Sequence, residues 1–213
     1  TEAEGPSWPN PPWSTFLLRK LLENEQFEQQ FINRFADHLN TTFEPHRVQN
    51  RIDEFYFRLK PEIPRHLERW QLRPERWEEQ VGILRTFAQK RTAYLRRYLA
   101  EMFETGAEVQ VEASSTPGGR IILNDNVRIG KQPFSGVYFE NMPITIEAEA
   151  NYGYRFSHWE GLPDTSLHSR RLTIPLHGGN LKLQAVFEKY THPLAGKLII
   201  NEVSLNNKVR SEE

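Results

Sequence analysis

Apolar positions along this 213-residue chain follow two rhythms, and the change falls near Gly106. Before it they recur three and four residues apart, the spacing of a helix face; beyond it they alternate with polar residues. Ser14 stands as a helix cap ahead of the i,i+4 pairs Leu17/Leu21 and Leu18/Leu22. Asn24 caps a second helix with the stripe Phe27, Phe31, Phe35, Leu39. A third begins near Pro45, where the missing N–H costs nothing, carries Val48, Ile52, Phe55, Tyr56 and Leu59, and stops before Pro61. A short helical turn with Leu67 and Trp70 follows Pro64. Pro74 opens the longest element, striped by Trp77, Val81, Leu84, Ala88, Arg91, Leu95, Tyr98 and Met102, and Gly106 after Thr105 is expected as its left-handed terminator.

Past Gly106 the alternating sets are Val109/Val111/Ala113, Ile144/Ile146/Ala148, Leu172/Ile174/Leu176 and Leu181/Leu183/Ala185. Turn signals separate them: Pro117-Gly118-Gly119, Asn124-Asp125-Asn126, Gly130, Gly161 and Gly178-Gly179-Asn180. The pattern predicts an α+β chain in two parts, an all-α helical segment over 1–106 followed by a small antiparallel all-β module over 107–190. Residues 191–213 form a linker, the apolar run Leu198-Ile199-Ile200 and a charged tail. At the other end, Pro6, Pro9, Pro11 and Pro12 make residues 1–12 an extended lead-in.

Composition narrows the function classes. Lys and Arg number 27 against 28 Asp and Glu, and the basic residues are interspersed with acidic ones, so no polyanionic partner is indicated and nucleic-acid binding is not expected. With no cysteine, disulfides, Cys-ligated zinc and thiol nucleophiles are excluded. No apolar run approaches the roughly 18 residues of a membrane span. Thirteen Phe and five Trp supply bulky core material, four of the Trp lying before Gly106.

Candidate chemistry is sparse. The seven histidines (His38, His46, His66, His158, His168, His177, His192) lack the spacing of a helical zinc protease, and surface or satisfied core roles are expected; His66, beside Arg69 and Trp70, is the one to examine for a buried hydrogen bond. Asp53 and Glu54 diverge by roughly 100° on a helix, so an Asp53–Arg pair with a solvated Glu54 is expected over acid–base work. Asn124-Asp125-Asn126 offers oxygen atoms, yet lacks the alternating acids and distal Glu of a calcium loop, so a hairpin turn is expected. Pro117-Gly118-Gly119-Arg120 joins two strands, with no helix N-terminus to complete a phosphate cradle. Lys90-Arg91 and Arg96-Arg97 read as a solvated or packed helix face. The aromatic cluster Tyr152, Tyr154, Phe156 and Trp159 has two readings: core bulk of the β module, or an exposed surface in which Tyr152, Tyr154 and Trp159 bind a glycan or protein partner.

The stretch from Phe31 to Phe43 (FINRFADHLNTTF), followed by Ile52-Asp53, Pro61-Glu62-Ile63, His66, Arg69-Trp70 and Trp77, resembles the C-terminal helical part of the spore-coat CotH kinase family. That resemblance implies a remnant of a kinase-like lobe from a bacterial, secreted or cell-surface protein, whose parent uses ATP with Mg or Mn. The family's nucleotide-gripping lysine and Asp-any-Asp metal element lie upstream of the matching helices, and this chain has no Asp-any-Asp triplet. No catalytic, cofactor-binding or metal residue is therefore carried over; the expected partner is an upstream kinase-like lobe preceding Thr1, with self-association through helical apolar faces in its absence. Gly119 to Asn124, Gly136 to Phe139, Gly153 to Gly161 and Leu183 to Phe187 make the β module similar to a bacterial extracellular B-type repeat of internalin kind, a spacer or adhesion unit. Lys197 to Val203 resembles the opening strand of a lamin-tail-like domain.

Overall fold

The computed structural model describes residues 13–73, 75–163 and 167–197. The expected lead-in over 1–12, the helix-opening Pro74 and the strand-like run from Leu198 lie outside the described residues. Among the described residues five α-helices come first: α1 (Phe16–Leu22), α2 (Glu25–Asn40), α3 (Pro45–Leu59), α4 (Ile63–Arg69) reached through a 3-10 turn (Lys60–Glu62), and α5 (Glu75–Phe103). Asn24 caps α2 as expected, its side chain accepting from the Phe27 N–H at 2.9 Å. Pro45 does open α3, where the Glu44 carboxylate accepts from the N–H groups of His46 and Arg47.

Eight strands follow among the described residues: β1 (Glu108–Ser115), β2 (Gly119–Leu123), β3 (Val127–Ile129), β4 (Phe134–Phe139), β5 (Ile144–Ala150), β6 (Tyr154–Glu160), β7 (Arg171–Ile174) and β8 (Leu181–Lys189). They form two four-stranded sheets, ordered β4-β1-β8-β6 and β3-β2-β5-β7. Pairing is antiparallel except between β1 and β8, which run parallel with Val111 opposite Leu181. The chain is thus α+β in two parts, helices first and an antiparallel-rich pair of sheets second.

The core does not stop where the helices do. Ile32, Ala36 and Leu39 of α2 and Leu99 of α5 belong to the same buried cluster as Val109, Tyr138, Phe139, Ile144 and Ile146 of the sheets. Burying side chains such as Ile32 and Leu39 fully contributes about 1.5–3 kcal/mol each, so this shared core is a strong bond between the two parts.

Three expectations need correction. On α2 the buried positions are Ile32, Asn33, Ala36, Asp37 and Leu39; Phe31 and Phe35 sit half-buried to one side, with Phe31 6.0 Å from Phe103 of α5. On α5 the expected stripe holds at Trp77, Val81, Ala88 and Leu95, which are buried or half-buried, and fails at Leu84, Arg91, Tyr98 and Met102, which are exposed, while Thr92 and Leu99 are buried instead. A strict three-four alternation repeats every 3.5 residues and falls about 20° per heptad behind a straight helix of 3.6. Finally, α5 ends at Phe103; Glu104 takes up the left-handed backbone (φ 49°), and Gly106 (φ 79°) bends the connection into β1.

Candidate functional site

Helix α2 presents three polar side chains, Asn33, Asp37 and Asn40, at i, i+4 and i+7, which stack them on one helix face. That face meets the β strands. Asp37 is fully buried, with 0% relative exposure. Its Oδ1 accepts from the Tyr138 hydroxyl at 2.7 Å and from Asn124 Nδ2 at 3.0 Å, and its Oδ2 from Asn126 Nδ2 at 3.2 Å. Burial raises the Asp37 pKa above its ordinary value; the three hydrogen bonds and the field of Arg34 oppose that rise without cancelling it. Burial, with the Asp37 charge beside it, likewise pushes the Tyr138 phenol well up, which keeps it a neutral donor.

One turn along, Asn40 acts as a piece of neighbouring strand. Its Oδ1 accepts from the Val137 N–H at 3.0 Å and its Nδ2 donates to the Val137 carbonyl at 2.8 Å, closing the outer edge of β4. Arg96 of α5 donates to the same Oδ1 at 2.8 Å. At the other end Asn33 donates to the Pro143 carbonyl at 2.8 Å. The seam between helices and sheets is therefore a row of polar contacts set within an apolar core, satisfied at Asp37 and Asn40 and leaving Asn33 Oδ1 without a donor, and it adds direction to the non-directional burial around it.

The turn supplying two of the donors is built by its sequence. Asn124 (φ 51°) and Asp125 (φ 55°) take left-handed backbone between β2 and β3, with the Asn126 N–H on the Leu123 carbonyl at 3.0 Å, the geometry of a two-residue hairpin turn. The hairpin reading of Asn124-Asp125-Asn126 holds, and both oxygens of Asp125 are engaged by Arg171 at 2.8–2.9 Å. This ion pair holds the Asp125 carboxyl below its ordinary range.

The remaining candidates are dispersed. Asp53 pairs with Arg85 (2.7 and 2.9 Å) and Glu54 with Arg51 at the surface, as expected. His66, the histidine singled out for a buried hydrogen bond, is exposed on α4. Pro117-Gly118 turns the chain between β1 and β2 with Gly118 at φ 109°, and the Tyr154 ring lies so close that a Cβ at Gly118 would come within 2.2 Å of it. Tyr152, Tyr154 and Trp159 do not share one exposed face: Tyr152 is fully exposed in a turn, Tyr154 is half-buried, and Trp159 is at 0% exposure with its Nε1–H donating to the Ser169 carbonyl at 2.8 Å. A bulge in β6 between Phe156 and His158 is the cause. It inserts one residue, so Phe156 opposite Phe187 and Trp159 opposite Ala185 both point inward, their rings 5.1 Å apart.

A second surface stands apart from the seam. Opposite its buried stripe, α5 exposes Ile83, Phe87, Tyr94 and Tyr98, with Arg91 over the Phe87 ring (5.6 Å) and Arg97 over both tyrosines (5.1 and 5.4 Å). Phe55, Phe57 and Leu59 of α3 are exposed as well. Large apolar side chains therefore stand in the open on both helices.

Residues 1–95 match the family model described as CotH kinase protein. This part of the chain is CotH-like, and the match takes in Asn33, Asp37 and Asn40 as well as most of α5. No curated protein and no solved structure matches the chain. Among the described residues, no helix is long and apolar enough to cross a membrane.

The polar row is not legible in the sequence because hydrophobic periodicity ranks Asn and Asp as surface. One signal was available: Asn33, Asp37 and Asn40 keep helical spacing inside the FINRFADHLNTTF stretch, where a solvated face has no need to be so regular.

Proposed function

We propose that this chain is the non-catalytic C-terminal part of a CotH-like exported, bacterial protein kinase, secreted or held at the cell surface. Its helices serve as scaffold for a kinase-like lobe that supplies ATP and Mg or Mn binding, and its β sheets form a B-repeat-like extracellular extension. In this reading the run from Lys197 opens a lamin-tail-like domain. The observation that carries the proposal is the unburied apolar face of α3 and α5, lying largely within the CotH-like residues. A helix that has already buried one face on its own domain and keeps Ile83, Phe87 and Tyr94 in water is made to be covered by another body. The shared core of α2 and the sheets supports a further point: the extension is carried rigidly, without a swinging linker.

The test is co-expression of this chain with a CotH-like lobe containing the lysine and Asp-any-Asp elements. Co-purification that is lost in Phe87→Glu is expected, along with no phosphate transfer by this chain alone given ATP and Mg or Mn. Phosphate transfer by the isolated chain, or failure to co-purify, overturns the reading.

A further inference from the structure

Between the first turns of α2 and the outer face of β5 and β7 lies a cleft of about 650 Å³, inside the roughly 300–1,000 Å³ range of small-molecule sites. Its helical wall is rich in carboxamides. Gln26, Gln29 and Gln30 line it, and among the described residues none of the three has a side-chain hydrogen-bond partner. Asn33, nearly buried at the cleft's inner end, uses its Nδ2 on Pro143 and leaves Oδ1 without a donor. The opposite wall carries the hydroxyls of Thr145 and Thr173. The half-buried ring of Phe27 supplies an apolar patch.

The charges limit what fits. Arg171 is committed to Asp125 and Glu147, so its cation is neutralised in place. Arg34, exposed beside the carboxamides, makes no ion pair among the described residues, although its field reaches the carboxylates of Asp37 and Asp125. One such cation is too few for a polyphosphate, which calls on several. A divalent cation would need carboxylate oxygens, and the only lining carboxylate, Asp125, has both of its oxygens on Arg171. Carboxamides do suit polyols: each holds a donor and an acceptor in one plane, the pairing that neighbouring hydroxyls offer in return. The C–H face of a sugar ring matches Phe27, and a guanidinium matches a carboxylate in a two-pronged pair.

We propose that this cleft binds a saccharide bearing a carboxylate, of the uronic-acid class, with Arg34 on the carboxylate and Gln29, Gln30 and Asn33 on the hydroxyls. Neither wall makes the site alone. The helical wall is in the CotH-like residues, the other wall is in the sheets, and Asn124 both lines the cleft and grips Asp37. The polar seam is what holds the two walls in register.

The experiment is an NMR titration of the full chain with trigalacturonate, with maltotriose and inorganic phosphate as comparison probes. Saturable binding of trigalacturonate is expected, with amide shifts confined to residues 26–34, 143–145 and 171–173. Affinity should fall at least tenfold in Arg34→Ala and in Gln30→Ala, both exposed positions whose replacement leaves the melting temperature in place. Maltotriose should bind at least tenfold more weakly than the uronate. Absence of saturable binding, equal binding of maltotriose, displacement by phosphate at similar concentration, or unchanged affinity in both variants overturns the proposal. None of these results bears on the kinase-scaffold reading, which is decided on the far face of α5.

Discussion

The Tyr138 hydroxyl donates to Asp37 Oδ1 at 2.7 Å across 101 residues of chain, joining a CotH-like helix to a strand beyond the matched segment. Both partners are buried, and a hydrogen bond to a charged acceptor contributes about 1.5–3 kcal/mol. Tyr138→Phe keeps the ring and removes the donor, leaving the carboxylate with two amide donors. Urea unfolding should show a loss of about 1–3 kcal/mol at neutral pH with an unchanged m-value. A midpoint equal to wild type would mean that the bond is dispensable to the fold.

Asp37 also gives the protein a recognisable pH signature. Burial raises its folded pKa above the ordinary 3.8, so the native state takes up a proton more readily than the unfolded chain. The contribution of this group is thus most favourable below about 3.8 and declines as pH rises through the folded value. Asp125 and Glu149, held below their ordinary values by Arg171 and Arg120, act in the opposite sense: their contribution is present above their unfolded pKa and lost on acidification. Asp37→Asn retains those two pairs and removes only the first effect. Subtracting the variant's stability from the wild type's, across pH 3 to 7, should leave a difference that falls as pH rises. A flat or rising difference would contradict the raised pKa.

At Asn40 the expectation concerns a strand edge. Its carboxamide occupies both main-chain groups of Val137, and its loss exposes that rung of β4 to water and to other strands. Asn40→Ala should cost about 1–3 kcal/mol. Hydrogen exchange at the Val137 amide should accelerate well beyond that of Tyr138, whose position lies against β1 opposite Val109. Uniform acceleration along β4 would assign the effect to global destabilisation instead.

The aromatic cluster separates into two behaviours. Trp159 is enclosed by Phe156 and the Ser169 carbonyl, and Trp159→Ala should destabilise by about 3–5 kcal/mol. Tyr152, fully exposed, should tolerate Ala within about 0.5 kcal/mol. Thermal unfolding of both variants decides the matter; comparable losses would mean that Tyr152 packs in solution.

How far these features could be seen in the sequence depends on what kind of signal wrote them. The change of rhythm near Gly106 was legible, because Val109, Val111 and Ala113 answer to one buried face and two-residue alternation has no drift. The α5 stripe was legible in part, at Trp77, Val81, Ala88 and Leu95, but Thr92 is buried and Arg96 half-buried through the Phe43 carbonyl and Asn40, partners that no periodicity reveals. The inward position of Trp159 was not legible because one inserted residue at a bulge flips the alternation and brings it onto the same face as Phe156. The Asp37 cluster needed four residues from α2, the β2–β3 turn and β4, a tertiary coincidence that a one-dimensional pattern does not contain.

The outer face of α5 yields the last expectation. Ile83 and Phe87 are both largely exposed, Phe87 at the rim of a groove it shares with Ala88 and Thr92, so replacing them alters a surface far more than the core. Phe87→Glu should leave the unfolding midpoint within about 0.5 kcal/mol of wild type. The same substitution should lower whatever association the face drives. Light scattering of the wild-type chain without a kinase-like lobe should give a mass that rises with concentration, and Phe87→Glu should return it to the monomer value. Burial of one copy's Phe87 against another removes about 25 cal/mol for each Å² of apolar area taken from water, and a glutamate there must instead be desolvated. A wild-type chain that stays strictly monomeric at high concentration would overturn self-association through this face.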